Sequence, residues 1–130
     1  MEPAEYEHLF RLEDDLWWFV GQRRIVDKLL TRHLPDSNGC LRVLDAGAGT
    51  GGSLSQLQHY GEVTSFDFEE TATRMFATRE KGRVLVASTD AIPFADATFD
   101  LVTSFDVICQ LQAPDDQVAL REMARVLKPG

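Results

Sequence analysis

The stretch "VLDAGAGTGG", residues 43–52, decides the fold of this chain, because four glycines directly follow two aliphatic residues, an aspartate and an alanine. Such a transition is typical of a buried strand that turns sharply into a helix. Glycine permits a positive φ and lets a ligand approach the main chain, and the following helix offers free N–H groups at its positive end. The stretch therefore predicts a ligand bound against the backbone at a strand-to-helix turn.

Short apolar runs alternate with helical or loop segments on both sides of that turn. The strands are expected near residues 41–45, 62–67, 83–88 and 99–105. The helices are expected at residues 51–60, 69–82 and 115–130, the last of them stopped by Pro129-Gly130. Strands that alternate with helices imply crossover connections. The predicted fold class is thus α/β, a doubly wound and mainly parallel sheet that ends after its fourth strand and the following helix.

The first part of the chain is expected to be helical. Residues 3–34 place apolar side chains at helical spacing, and Gly21 is the predicted break between two helices. We accordingly divide the chain into a helical leader or lid, residues 1–38, and a ligand-binding half of an α/β domain, residues 39–130.

Composition excludes several classes of function. The net charge of −8 argues against nucleic acid and anionic membranes as partners. No apolar run approaches the roughly 20 residues that span a bilayer, and the N-terminus lacks a signal-peptide pattern. Cys40 and Cys109 lack the spacing of a metal site, so no metal is predicted and both are expected to be reduced thiols. The expected location is the cytoplasm.

The acidic residues around the glycines narrow the choice of ligand. Gly47, Gly49 and Gly52 satisfy the dinucleotide pattern G-x-G-x-x-G, and Asp67 follows at the distance of a ribose-binding carboxylate. Asp45, however, would repel a pyrophosphate and favour an ammonium or sulfonium group. A nicotinamide-dependent dehydrogenase is therefore disfavoured.

Two further positions extend this argument to a nucleoside. Asp90 follows the third strand and could accept a hydrogen bond from the exocyclic amine of adenine, beside the backbone N–H of Ala91. Each acidic residue also has a structural alternative, because Asp67 could cap the helix at Glu69 and Asp90 suits an ordinary turn. A cationic amino-acid end, a ribose and an adenine together describe S-adenosylmethionine.

The chain resembles class I S-adenosylmethionine-dependent methyltransferases of the branch that acts on small molecules. Four segments carry the likeness: "VLDAGAGTGG", "SFDFEE", "STDAIPFADATFDLVTSFDVI" and "LREMARVLKPG". The resemblance implies a Rossmann-like fold, S-adenosyl-L-methionine as the cofactor and S-adenosyl-L-homocysteine as its product. The family's fifth to seventh strands have no counterpart here, and Gln110 stands where the family commonly has a histidine.

The resemblance also implies a set of cofactor-binding residues. Asp45 would lie near the methionine end, Asp67 on the ribose and Phe68 beside the adenine. The full expected set is Asp45, Gly47, Ala48, Gly49, Gly51, Asp67, Phe68, Asp90, Ala91 and Phe105. The segment "LEDDLWWFVGQRR" is similar to a leader whose helix covers the active site. Its aromatic run is interpreted mainly as core, with either Trp17 or Trp18 facing the cleft or solvent.

The predicted function is methyl transfer to a small-molecule acceptor. In-line displacement depends chiefly on positioning, and a general base is needed only if the acceptor must lose a proton. No catalytic residue is therefore assigned, although Asp106 is the carboxylate best placed to reach an acceptor. The alternative is a non-catalytic cofactor-binding or scaffold fragment that forms a homodimer through the open edge of the fourth strand.

Overall fold

A parallel β-sheet forms the centre of the molecule. The computed structural model describes residues 2–34, 38–79, 82–112 and 114–130, and within these residues the sheet has four strands. The strands are β1 (Leu41–Ala46), β2 (Gly61–Asp67), β3 (Arg83–Val86) and β4 (Leu101–Thr103), in the order β3-β2-β1-β4. All three pairings are parallel, and the order reverses at β1. The predicted doubly wound sheet is confirmed, and its switch point lies where open α/β sheets bind ligands.

Five α-helices and one short 3₁₀ turn accompany the sheet in the described residues. The helices are α1 (Pro3–Leu12), α2 (Trp17–His33), α3 (Leu54–Leu57), α4 (Glu70–Phe76) and α5 (Asp115–Val126). The 3₁₀ turn spans Ile108–Gln110, after β4. None of the described helices is long and apolar enough to cross a bilayer.

The break in the leader differs from the prediction. Gly21 lies inside α2, and the chain turns at residues 13–16 instead. The Arg23 guanidinium holds this turn by donating hydrogen bonds to the carbonyls of Glu13 and Asp14, at 2.7 and 2.8 Å. One glycine inside a helix costs only about 1 kcal/mol relative to alanine, so α2 continues through it.

The crossover helices are shorter than the sequence indicated. The helix predicted at 51–60 is reduced to α3, because the glycine-rich turn takes up residues 51–53. The helix predicted at 69–82 ends at Phe76, and its residues 80 and 81 lie outside the described residues. The strands predicted at 83–88 and 99–105 are likewise limited to β3 and β4.

The end of α5 also corrects a prediction. The helix ends at Val126 rather than at Pro129-Gly130. Leu127 forms a parallel bridge with Phe99, and the N–H of Lys128 donates to the Phe99 carbonyl at 2.9 Å. The backbone leaves the helix early because these groups pair beside the start of β4.

Each face of the sheet has its own apolar cluster, because alternate residues of β1 point to opposite sides. One cluster packs beneath α5 and contains Leu44, Ala46, Phe66, Ile92, Phe99, Ala119, Met123 and Val126. The other packs against α3 and α4 and contains Val43, Leu54, Leu57, Tyr60, Val63 and Phe76. The helix α2 contacts the second cluster through Leu30 and buries none of its residues.

Candidate functional site

A cleft opens at the carboxyl ends of the strands. Its volume is about 610 Å³, within the roughly 300–1,000 Å³ of small-molecule sites. Eight of the ten residues expected to bind a cofactor line it: Asp45, Gly47, Ala48, Gly49, Asp67, Phe68, Asp90 and Phe105. The other two, Gly51 and Ala91, do not line the cleft.

The glycine turn presents its backbone to the cleft at Gly49. That residue has a φ of +55°, and a Cβ placed on it would meet no atom within 4 Å. Gly51 has a φ of +88° but faces the opposite way, because its Cβ would lie 2.7 Å from the ring of Phe76 on α4. Within the described glycine turn, Gly49 therefore combines a glycine-requiring conformation with free space for a ligand, whereas Gly51 serves packing.

Asp67, at the end of β2, ties the glycine turn to the start of α4. Its Oδ2 accepts a hydrogen bond from the N–H of Gly49 at 2.8 Å, and its Oδ1 accepts one from the N–H of Glu69 at 2.9 Å. This second bond lies one residue before α4 begins at Glu70, so Asp67 supports the turn into the helix without capping it. A carboxylate has about four lone-pair sites, so the two bonds leave Asp67 able to accept hydroxyl donors from the cleft.

Asp45 is a buried carboxylate beneath the glycine turn. It is 1% exposed, and its Oδ1 accepts a hydrogen bond from the Thr103 hydroxyl at 2.8 Å. Burial raises the pKa of Asp45 to about 7, with a smaller contribution from the nearby charge of Asp67. In the described part of the chain Asp45 has no salt bridge with a basic side chain. An entering cation would therefore restore the charged form of this carboxylate.

Of the two groups expected to bind the edge of adenine, the Asp90 carboxylate is available and the Ala91 N–H is not. Asp90 lines the cleft, and among the described residues its carboxylate has no hydrogen-bond donor. The N–H of Ala91 donates to the Ser88 carbonyl at 3.2 Å, so this expected donor is already used within the turn. Phe68 is 71% exposed at the rim of the cleft, where a planar ring could stack on it.

The loop after β4 meets the leader at Asp106. This residue has a φ of +58°, which is uncommon outside glycine. Its Oδ2 accepts a hydrogen bond from the Gln22 side chain of α2 at 3.1 Å, and its carbonyl accepts one from the Gln110 side chain at 2.7 Å. The sequence indicated Asp106, but nothing in the pattern of α2 distinguished Gln22.

The leader contributes an aromatic and apolar wall. The cleft is lined from this side by Tyr6, Leu9, Glu13, Trp18, Phe19, Gln22 and Arg23. Trp17 and Trp18 are 75% and 53% exposed, so the interpretation of the aromatic run as mainly core is wrong: both are exposed, where only one was expected to face the cleft or solvent. Trp18 faces the cleft, as expected for one of the pair.

Glu13 is another cleft-lining residue that sequence reasoning missed. It is 5% exposed, and burial raises the pKa of its carboxyl group while hydrogen bonds and the Arg79 charge oppose the shift. In the sequence it stands in the acidic run "LEDD", where nothing separates it from its exposed neighbours Asp14 and Asp15.

The charge of the cleft is predominantly negative. Its acidic side chains are Glu13, Asp45, Asp67, Glu69, Asp90, Asp106 and Asp115. Arg23 also lines it, but its guanidinium donates to backbone carbonyls. Across the described ranges no group of three or more His, Cys, Asp or Glu residues is arranged to hold a metal ion. This surface favours a ligand with a cationic end over a pyrophosphate.

The sequence of this chain is similar to those of known methyltransferases. Residues 44–130 match the family described as "Methyltransferase domain". The chain is 38% identical over 122 residues to a sarcosine/dimethylglycine N-methyltransferase of Halorhodospira halochloris, covering 85% of this chain and 42% of that protein. It is 32% identical over 120 residues to the ubiquinone/menaquinone biosynthesis C-methyltransferase UbiE of a Shewanella species, covering 81% of this chain and 47% of that protein.

A solved structure extends the similarity of fold to nearly the whole chain. It is a Methanococcus maripaludis protein assigned to the S-adenosyl-L-methionine-dependent methyltransferases, with a TM-score of 0.82 and 17% sequence identity. The match covers 99% of this chain and 60% of that one. By comparison, the chain covers 42% and 47% of the two curated relatives above, which is less than half of their length.

Proposed function

This chain belongs to the Rossmann-like, class I S-adenosylmethionine-dependent methyltransferases, and from that premise we propose that it binds S-adenosylmethionine in the cleft and takes part in methyl transfer to a small-molecule acceptor. The observation that carries the proposal is the open backbone at Gly49, flanked by the carboxylates of Asp45 and Asp67. These groups fit a ligand with a cationic end and a ribose, whereas they would repel a pyrophosphate.

Each part of the proposed site has a distinct task. Asp45 attracts the amino-acid end of the cofactor, and the backbone at Gly49 allows close approach. Asp67 accepts hydrogen bonds from the ribose hydroxyls while it holds the turn through Gly49. Asp90 accepts from the adenine amine, and Phe68 stacks on the ring. Gly47, Ala48 and Phe105 complete the lining.

When bound, the cofactor supplies an electrophilic methyl group on its sulfonium. The chain's own contribution is to fix that end of the cleft and to exclude water, and positioning of this kind lowers a barrier by several kcal/mol, up to about 10. The apolar wall of Leu9, Trp18 and Phe19 faces the cleft from the leader and shields it. Asp106 also lines the cleft, where it is bonded to Gln22 of α2, and it is the carboxylate that we propose orients an acceptor.

The acceptor is proposed at the level of a small molecule. The names of the two curated relatives specify methylation at nitrogen and at carbon, so they support a small acceptor without selecting the atom. We also propose a cytoplasmic location, where free and exposed cysteines such as Cys40 and Cys109 stay reduced. Nucleic acid is a poor candidate, because the cleft is lined by carboxylates.

The proposal is tested by calorimetric titration with S-adenosyl-L-homocysteine, with NAD as the competing ligand. We expect micromolar binding of S-adenosyl-L-homocysteine, abolished by Asp67→Ala and retained by Asp15→Ala, which changes an exposed acidic residue of the leader. Binding of NAD in its place, or equal affinity in the two variants, would contradict the proposed site.

A second proposal concerns the edge of the sheet. Phe99, just before β4, pairs with Leu127 on the side that faces away from β1. In the described residues β4 itself has β1 as its strand partner and no strand on its other side. An open edge of this kind can pair with another copy, which supports a homodimer through β4 and the scaffold alternative. Analytical ultracentrifugation would detect it as a mass that rises with concentration. A concentration-independent monomer mass would contradict it.

A further inference from the structure

The cleft is bounded on its leader side by the buried carboxylate of Glu13. Glu13 directly follows α1, and both of its side-chain oxygens lie 2.8 Å from the hydroxyl of Thr50. Thr50 is 1% exposed and stands between Gly49 and Gly51 in the glycine turn. A residue of the leader is therefore hydrogen-bonded to the segment that presents its backbone to the ligand.

Arg79 completes this contact from the opposite side. Its guanidinium forms an ion pair with the Glu13 carboxylate, and its Nε donates to the Thr50 carbonyl at 2.8 Å. The same guanidinium lies 4.7 Å from the centroid of the Phe10 ring on α1. Thr50 is thus held at both its hydroxyl and its carbonyl by a charged pair that links the leader to the chain beyond α4.

Gly52 leaves room for the carboxylate of Glu13. A Cβ at Gly52 would lie 2.6 Å from Oε2 of Glu13, so any side chain there would displace the acid. The backbone of Glu13 is fixed as well, because its carbonyl accepts the hydrogen bond from Arg23 at 2.7 Å. The last glycine of the turn therefore makes room for the leader.

We propose that Glu13 is a positioning residue of the cofactor site, whose carboxylate holds residues 49–52 in the conformation that offers the Gly49 backbone to the ligand. The inference rests on the proposed function, since it assigns Glu13 a role in the binding of that cofactor. In this role the leader both forms a wall of the cleft and holds the glycine turn that binds the cofactor. Removing the charge leaves Arg79 without its buried partner and frees the turn, and breaking a buried ion pair on one side is strongly unfavourable.

The test compares Glu13→Gln with Asp15→Asn. The first replacement keeps size and removes the buried charge, and the second removes an exposed charge from the same turn. Two readouts are taken: the affinity for S-adenosyl-L-homocysteine, and hydrogen exchange of the unliganded protein at the amides of Gly51 and Leu54, which donate to carbonyls within the turn. We expect Glu13→Gln to raise the Kd at least tenfold and to accelerate exchange at both amides, while Asp15→Asn changes neither.

Unchanged exchange and an unchanged Kd in Glu13→Gln would overturn the inference. Failure of the unaltered chain to bind S-adenosyl-L-homocysteine would overturn the proposed function instead, and the exchange comparison would still decide whether Glu13 holds the turn. If Glu13→Gln does not fold, Thr50→Val replaces it, because this change deletes the hydroxyl that Glu13 accepts from and keeps a similar volume. The same two results are then expected, and unaltered exchange would again overturn the inference.

Discussion

We predict that the buried carboxylate of Asp45 makes the affinity for the proposed cofactor depend on pH. Its pKa of about 7 in the unliganded fold means that a cation binds best once this group has lost its proton. With that pKa, about a tenth of the molecules are ionised at pH 6 and about nine tenths at pH 8. The Kd for S-adenosyl-L-homocysteine, whose ammonium group is the relevant cation, should therefore fall about tenfold between these two pH values.

The variant Asp45→Asn separates this effect from other ionisations. The amide keeps an oxygen for the Thr103 hydroxyl, so the local packing is preserved while the charge is lost. We expect a Kd at least tenfold higher than that of the unaltered chain at pH 8, and a nearly flat profile between pH 6 and pH 8. The measurement is isothermal titration calorimetry at several pH values. A Kd of the unaltered chain that is equal at pH 6 and pH 8, or a slope that persists in the variant, would refute the assigned role.

The same pKa shift makes an opposite prediction for the stability of the unliganded protein. The pKa of Asp45 is raised on folding, so its stabilising contribution is complete below its ordinary value near 4 and is lost as the pH rises through about 7. Asp45→Asn should therefore raise the melting temperature at pH 8 and have little effect near pH 4. Scanning calorimetry checks this, and a variant that is less stable at pH 8 would contradict the burial argument.

Three further predictions concern the scaffold. Gly49→Ala should weaken binding of S-adenosyl-L-homocysteine by at least tenfold in calorimetry, because its φ of +55° is unfavourable for a residue with a Cβ; unchanged affinity would contradict it. Gly21→Ala should stabilise the protein by about 0.5–1 kcal/mol in urea unfolding, because Gly21 lies inside α2 and a Cβ placed on it would meet no atom within 4 Å; a loss of stability would contradict this. Phe76→Ala should lower the free energy of unfolding by about 3–5 kcal/mol in the same assay, because this ring is fully buried within the second apolar cluster. A loss below about 1 kcal/mol would contradict that assignment.

The sheet could be predicted from the sequence because its signals are local. Apolar runs of strand length, separated by turns and helical patterns, imply parallel crossovers, and the glycines after Asp45 mark the first strand-to-helix turn. The family assignment followed from the same segments. The lengths of α3 and α4 could not be obtained in this way, because turn geometry and packing determine where each helix ends.

The direction of the glycine turn shows what sequence could not provide. The pattern indicates that Gly49 and Gly51 need unusual backbone conformations, but only the ring of Phe76 on α4 shows that Gly51 faces away from the cleft. The position of the turn between α1 and α2 likewise could not be predicted from the sequence. The Arg23 guanidinium holds the turn between α1 and α2 through the carbonyls of Glu13 and Asp14, and no periodicity within "LEDD" reveals these hydrogen bonds.

We propose above that S-adenosylmethionine binds in the cleft against the glycine turn. Amide chemical-shift mapping by NMR during titration with S-adenosyl-L-homocysteine tests it most directly, since the amides report on individual residues. We expect the largest shifts at four residues that line the cleft beyond the ends of three strands: Gly47, Gly49, Asp67 and Asp90. Shifts confined to another surface, or no shifts at millimolar ligand in a folded sample, would contradict it.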